Sequence, residues 1–228
     1  MAAKATEPPT AVDPKAPDRL SARERLLAAA DELFYAEGVH VVGIDRIVER
    51  AGVAKASLYS IFGSKDELVS AYLDEHFRRR QMRIARILAV YNTPRERILG
   101  VFGEVEELLA GSEFRGCKFI SAAAEARPGD ASEVVAEEYR AWLRSLFTDL
   151  AEAAGAWDAN HFGRQLSLLY DGAAVAARMD QDRAGAANAV RSAVAALLDV
   201  AIPPERSRRR APVTGRSARA LKPESPKP

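Results

Sequence analysis

Residues 32–68 read ELFYAEGVHVVGIDRIVERAGVAKASLYSIFGSKDEL, and this stretch decides the fold. Its apolar residues recur at helical spacing, and glycine interrupts them at intervals. Leu33 and Phe34 complete an apolar face begun by Leu26 and Ala30, so a first helix is expected from Ser21 to Glu37, with Gly38 as its stop. Ile44, Ile47, Val48 and Ala51 fall at i, i+3, i+4 and i+7, which predicts a short second helix ended by Gly52. Ala54 to Phe62 predicts a third, with Leu58 and Phe62 one turn apart and facing inward. Ser64 and Glu67 have the S-x-x-E spacing of a capping box, which opens a long fourth helix through Ile84, Ile87, Leu88 and Tyr91.

Two short helices joined by a tight glycine turn form a helix-turn-helix, whose second helix enters the major groove of DNA. The third helix has the asymmetry this requires. Opposite Leu58 and Phe62 stand Lys55, Ala56, Ser57, Tyr59 and Ser60, which are small, polar or cationic and can approach bases and phosphates.

The segment resembles the DNA-binding domain of TetR-family transcriptional regulators. Gly38, Ile47, Ala51-Gly52-Val53, Leu58-Tyr59, Phe62, Ser64-Lys65 and Leu68 match that family's pattern in register. Several positions depart from it. Gly43 stands where a Thr or Ser usually caps the second helix and touches a phosphate, and glycine remains a tolerable cap. Val48, Ala54, Ala56 and Ile61 also replace commoner residues. The resemblance implies phosphate contacts from Tyr59 and Lys65 and base contacts from Lys55 and Ser57. Together with Ala56, Ser60 and Gly43 they make the expected DNA-binding set. Arg19, Arg23 and Arg25 are candidates for the DNA backbone or minor groove, or for a solvated first turn. Arg78, Arg79 and Arg80 read as a solvated face.

Outward from this stretch the pattern stays helical. The fold class is all-α, with about nine helices: an N-terminal helix-turn-helix domain and a C-terminal ligand-binding and dimerisation domain. Thr93-Pro94 opens a fifth helix, Pro128-Gly129 ends a short sixth, and the last three are expected over 132–154, 158–179 and 183–201. Ten of the twelve prolines lie in residues 1–18 and 203–228, which read as disordered arms. The domain boundaries expected are therefore 1–18, 19–66, 67–202 and 203–228. The net charge of +1 hides a partition: the body over 84–204 carries −5 and the last 24 residues +6. An acidic body with a basic tail suits a protein that approaches a polyanion at its ends.

No run of 18 uninterrupted apolar residues and no signal-peptide core occur, so a cytoplasmic protein without a membrane partner is expected. A single cysteine, Cys117, rules out a disulfide framework, and His40, His76 and His161 lack metal spacing. No metal or cofactor is expected. No paired carboxylates, nucleophile–base set or phosphate-binding glycine loop stand out, so the chain does not read as an enzyme.

For the remaining helices the resemblance implies a homodimer through the last two, bound to a palindromic double-stranded DNA operator, and a small-molecule effector held in the helical body. Small faces on those helices (Ala173, Ala174, Ala177; Ala186, Ala187, Val190, Val194) are expected to let the partner approach. Phe102, Cys117, Phe119, Tyr139, Trp142 and Tyr170 are the candidate effector-pocket residues, residue types that are more often plain core than pocket wall. Cys117 is either a reactive sensor beside Arg115 and Lys118 or a small buried hydrophobe. The function expected is a ligand-responsive repressor. The alternative is an effector-independent DNA-organising protein whose basic tail supplies affinity.

Overall fold

The structure, a computed structural model, describes residues 20–112 and 114–202. The arms expected to be disordered, the basic tail and Arg19 fall outside the described residues. Nine α-helices and no strand occur among those described. They are α1 (Ala22–Glu37), α2 (Ile44–Ala51), α3 (Lys55–Phe62), α4 (Lys65–Val90), α5 (Pro94–Ala110), α6 (Lys118–Glu125), α7 (Ala131–Ala154), α8 (Ala159–Met179) and α9 (Arg183–Ala201).

Their ends follow from local chemistry. Ser21 and Glu24 close a full capping box on α1, as Thr93 and Glu96 do on α5, where Pro94 supplies the preset φ of a first helical residue. Ser64 accepts the backbone N–H of Glu67 at 3.1 Å at the start of α4. Asp158 and Asp182 cap α8 and α9 through their carboxylates. The sixth helix stops at Glu125, earlier than Pro128-Gly129, because the residue before a proline avoids the helical region and a turn across Arg127–Asp130 takes over.

The chain divides into two compact units. The first holds residues up to Ala85 together with Ser112–Trp142, and so contains α1, α2, α3 and α6. Leu26, Phe34, Ile47, Leu58, Leu68, Tyr72 and Leu73 are buried in it. Two forked arginine–carboxylate pairs tie α2 to α1: Arg46 to Glu37 at 2.5 and 2.7 Å, and Arg50 to Glu32 at 3.1 and 2.5 Å.

The second unit holds Arg86–Gly111 and the chain from Leu143 onward, with α5, α8 and α9 packed side by side. Phe102 stacks on Phe147, Tyr170 meets both edge-on, and the Tyr170 hydroxyl donates to the buried Glu104 carboxylate at 3.3 Å. Gly163 lets α8 approach α7, since a Cβ there would lie 2.6 Å from the Thr148 Oγ1 and 2.8 Å from its backbone.

Of the small residues expected to face a partner on α8 and α9, Ala186 and Ala187 are half-exposed. Ala173, Ala174, Ala177, Val190 and Val194 are buried inside this unit, where they let helices of the same chain pack closely. The apolar surface left exposed on α8 is another stripe: Leu168 at 62%, Gly172, Val175 at 40% and Met179 at 75%. Their i, i+4, i+7, i+11 spacing puts them on one face. α9 is also apolar enough, by length and composition alone, to cross a membrane, a feature the search for uninterrupted apolar runs missed. Its alanines raise the mean, while Asn188, Arg191, Ser192 and Asp199 punctuate it.

Candidate nucleic-acid interface

The turn between α2 and α3 is set by Gly52, which takes the left-handed conformation (φ 61°, ψ 43°) and donates its N–H back to Glu49 and Val48. Val53 N–H also returns to the Val48 carbonyl at 3.1 Å, so the last carbonyls of α2 are satisfied as the chain reverses. Arg25 of α1 reaches across and donates to the Gly52 carbonyl at 3.1 Å. Arg23 lies over the Phe62 ring at 5.6 Å. Of the three arginines considered for DNA contact, the two among the described residues, Arg23 and Arg25, thus hold α1 against the helix-turn-helix.

α3 buries Leu58, half-buries Phe62 and Ser57, and exposes Lys55, Ala56, Tyr59, Ser60 and Ile61. Ala54 caps it with an extended backbone but no side-chain bond, and Gly43 caps α2 in the same way. The exposed set is therefore one face next to two helix N-termini, whose free amides favour phosphate. Lys55 is not a free cation here, because its ammonium lies 2.8 Å from the Asp45 carboxylate, which raises the lysine pKa. Lys65 is half-buried and donates to the His40 carbonyl at 3.3 Å, and burial pushes its pKa down. Lys55, Ala56, Tyr59 and Ser60 share the exposed face of α3, and Ser57 lies at its edge. Gly43 stands at the start of α2, and Lys65 is turned to the α1–α2 loop.

Arg78 and Arg79 are mostly exposed, as a solvated face requires. Glu75 pairs with Arg78, and with Arg79 at 2.8 Å. These residues border a groove of about 700 Å³ whose wall includes Asp31, Tyr35, Tyr72, His76 and Lys118. Asp31 is bonded to two of these residues, His76 and Lys118. Burial alone would raise this carboxyl, but hydrogen bonds from His76, at 3.0 Å, and from Lys118 outweigh it and bring it to about 2. Lys118 sits 4.0 Å from the Tyr35 ring centre, and the Tyr35 hydroxyl donates to the Gly116 carbonyl and accepts from the Arg115 N–H. These bonds pin the start of α6 to α1. Sequence reasoning missed this cluster, since its members lie up to 87 residues apart.

The six effector-pocket candidates fall into three places. Phe119, Tyr139 and Trp142 join Phe77 in an aromatic cluster of the first unit, with Phe119 and Tyr139 stacked at 3.9 Å. Phe102 and Tyr170 belong to the aromatic cluster of the second unit. Cys117 is half-exposed at the cap of α6.

The bacterial regulatory protein family typified by TetR matches this chain over residues 26–72, which spans most of α1 through the first part of α4. Solved structures extend the likeness to nearly the whole fold. A TetR-family transcriptional regulator from Streptomyces coelicolor is 32% identical with a TM-score of 0.77, covering 80% of this chain and 96% of that one. One from Streptomyces avermitilis is 36% identical with a TM-score of 0.71, covering 80% and 98%. The chain belongs to the TetR family of transcriptional regulators. The helix-turn-helix corresponds to the DNA-binding element of that family, which is one of transcriptional regulators and not of enzymes. Among curated relatives, the transcriptional activator FasR of Mycolicibacterium smegmatis is 50% identical over 54 residues, 24% of this chain and 25% of FasR. The transcriptional repressor NemR of Escherichia coli is 28% identical over 105 residues, 45% of this chain and 53% of NemR. The chain thus spans about half or less of the curated relatives it matches, with identity highest in the shorter match.

Proposed function

We propose that this TetR-family chain works in the cytoplasm as a homodimeric repressor that leaves a palindromic operator when a small molecule binds its helical body. The exposed face of α3, set by the Gly52 turn, carries the DNA-reading half of the proposal, with Lys55, Ala56, Ser57, Tyr59 and Ser60 as contacts. Gly43 and Lys65 complete the set at the phosphate backbone. Residues 19–66 are the DNA-binding domain in this reading and 67–202 the effector and dimerisation domain.

The exposed stripe of Leu168, Gly172, Val175 and Met179 supports dimerisation through α8 and α9, because a two-fold seam buries such a face against its own copy. A dimer offers two recognition helices to half-sites about 34 Å apart. The candidate effector contacts are taken unit by unit: Phe119, Tyr139 and Trp142, with Cys117 at the α6 cap, in the first unit, or Phe102 and Tyr170 in the second. A coupling of about 1–3 kcal/mol between effector and operator is enough for a 5- to 150-fold change in affinity. Repression or activation depends on where the operator lies relative to a promoter, so the name of FasR, matched over 24% of this chain, does not weigh against repression.

The test is selection from a random duplex pool, followed by titration of the enriched sequence. Wild-type protein is expected to enrich a two-fold symmetric site, and Tyr59→Ala is expected to weaken binding at least tenfold. Enrichment of no sequence, with unchanged binding by Tyr59→Ala, would refute the DNA-reading face.

A further inference from the structure

The DNA-facing helices of this chain are poor in available positive charge. α2 and α3 contain three cations, Arg46, Arg50 and Lys55. Arg46 and Arg50 turn back to Glu37 and Glu32 on α1. Lys55, the first residue of the recognition helix, pairs instead with Asp45 in the first turn of α2. Both groups are open to solvent, Asp45 at 81% and Lys55 at 52% of their side-chain surface, so neither is needed to bury the other or to hold the fold. An exposed pair of this kind contributes little to stability.

Resting on the DNA-binding reading above, we infer that Asp45 is a specificity-determining positioning residue: it holds Lys55 away from the phosphates and presents it to a base edge. The physics is a choice between two destinations for one ammonium. If Lys55 moved to a phosphate, Asp45 would be left as an unpaired carboxylate against a polyanion, a like-charge contact that opposes binding to any sequence. If Lys55 stays on Asp45, two of its three N–H donors remain for acceptors ahead of the helix N-terminus. Guanine offers two acceptors, N7 and O6, on one major-groove edge, and lysine is a standard partner for them. The rest of the α3 face (Ala56, Tyr59, Ser60) has no carboxylate, ammonium or guanidinium, so the pair decides how strongly the recognition surface responds to sequence rather than to phosphate.

The experiment uses the full chain, with the duplex selected by wild-type protein and a scrambled duplex, each titrated across a series of salt concentrations. Asp45→Asn is expected to bind scrambled DNA about 3- to 10-fold more tightly. Its salt slope should steepen by about 0.9, the signature of one added phosphate contact. Repeating the selection should show a weaker guanine preference at one position per half-site, and Asp45→Glu should restore it. Adding Lys55→Met to Asp45→Asn should cancel the gained affinity for scrambled DNA, which a merely structural role for Asp45 would not do. An unchanged or shallower slope for Asp45→Asn, or unchanged base preference, overturns the inference while leaving the DNA-binding reading intact. Failure of the wild-type chain to select any sequence defeats that reading instead.

Discussion

The α1–α3 segment and the α5/α8/α9 bundle are both helical, yet they are held together by different means. In the first, two eight-residue helices too short to persist alone are fixed by a glycine turn, forked arginine pairs on α2, and Arg25 on the turn carbonyl. In the bundle, helices of 17 to 21 residues interlock through aromatic stacking and small side chains, with Gly163 setting one crossing. The lesson is where function resides in each. The segment keeps its candidate DNA-contacting side chains outside and uses its core only to aim them. The bundle offers one outer apolar stripe, and its other candidate functional residues lie among those that hold it together.

The largest expected effect comes from charging that stripe. Leu168→Glu with Val175→Glu should convert a dimer to monomers by mass measurement and lower operator affinity by about 100-fold, because the second half-site no longer binds at high effective concentration. A dimer surviving both changes would place the seam elsewhere. Next is Gly163→Ala, whose Cβ meets Thr148 backbone and cannot be relieved by a rotamer change. A loss of about 1–3 kcal/mol in denaturant unfolding is expected, with no change in affinity per dimer.

A smaller effect is expected at Asp31, whose pKa is brought from 3.8 to about 2 in the fold. A depressed carboxyl adds stability above its unfolded pKa and loses it as pH falls through the folded value. Wild-type stability should therefore fall between about pH 4 and pH 2 more steeply than that of Asp31→Asn, and at pH 7 the variant should be less stable by about 1–2 kcal/mol. Equal pH profiles would contradict the Asp31–His76–Lys118 cluster. The smallest effect is a gain: Ala54→Ser supplies the missing cap of α3 and should add about 0.5–1 kcal/mol to unfolding stability.

The same contrast explains what was legible in the sequence. Each DNA-proximal helix was bounded within a residue or so, because Gly38, Gly52, Ser64 and the apolar spacing are local signals. α9 was placed at Arg183–Ala201 for the same reason. Side-chain partnerships were not legible. Nothing in the spacing of Asp45 and Lys55, ten positions apart, announces an ion pair across a turn, and the Asp31–Lys118 bond depends on how α6 returns to α1. The burial of Ala173, Ala174 and Ala177 within their own unit was not legible, because a small residue signals close approach without saying to what. The exposed Leu168–Met179 stripe is visible only once the buried face is known.

The most direct test of the account is the number of protomers on one copy of the selected duplex, measured together with the spacing of the protected half-sites. The account predicts two protomers on half-sites about 10 base pairs apart or a multiple of it, reduced to weak single occupancy by the paired α8 substitutions. One protomer bound at full affinity to a single unrepeated site, with those substitutions silent, would contradict it.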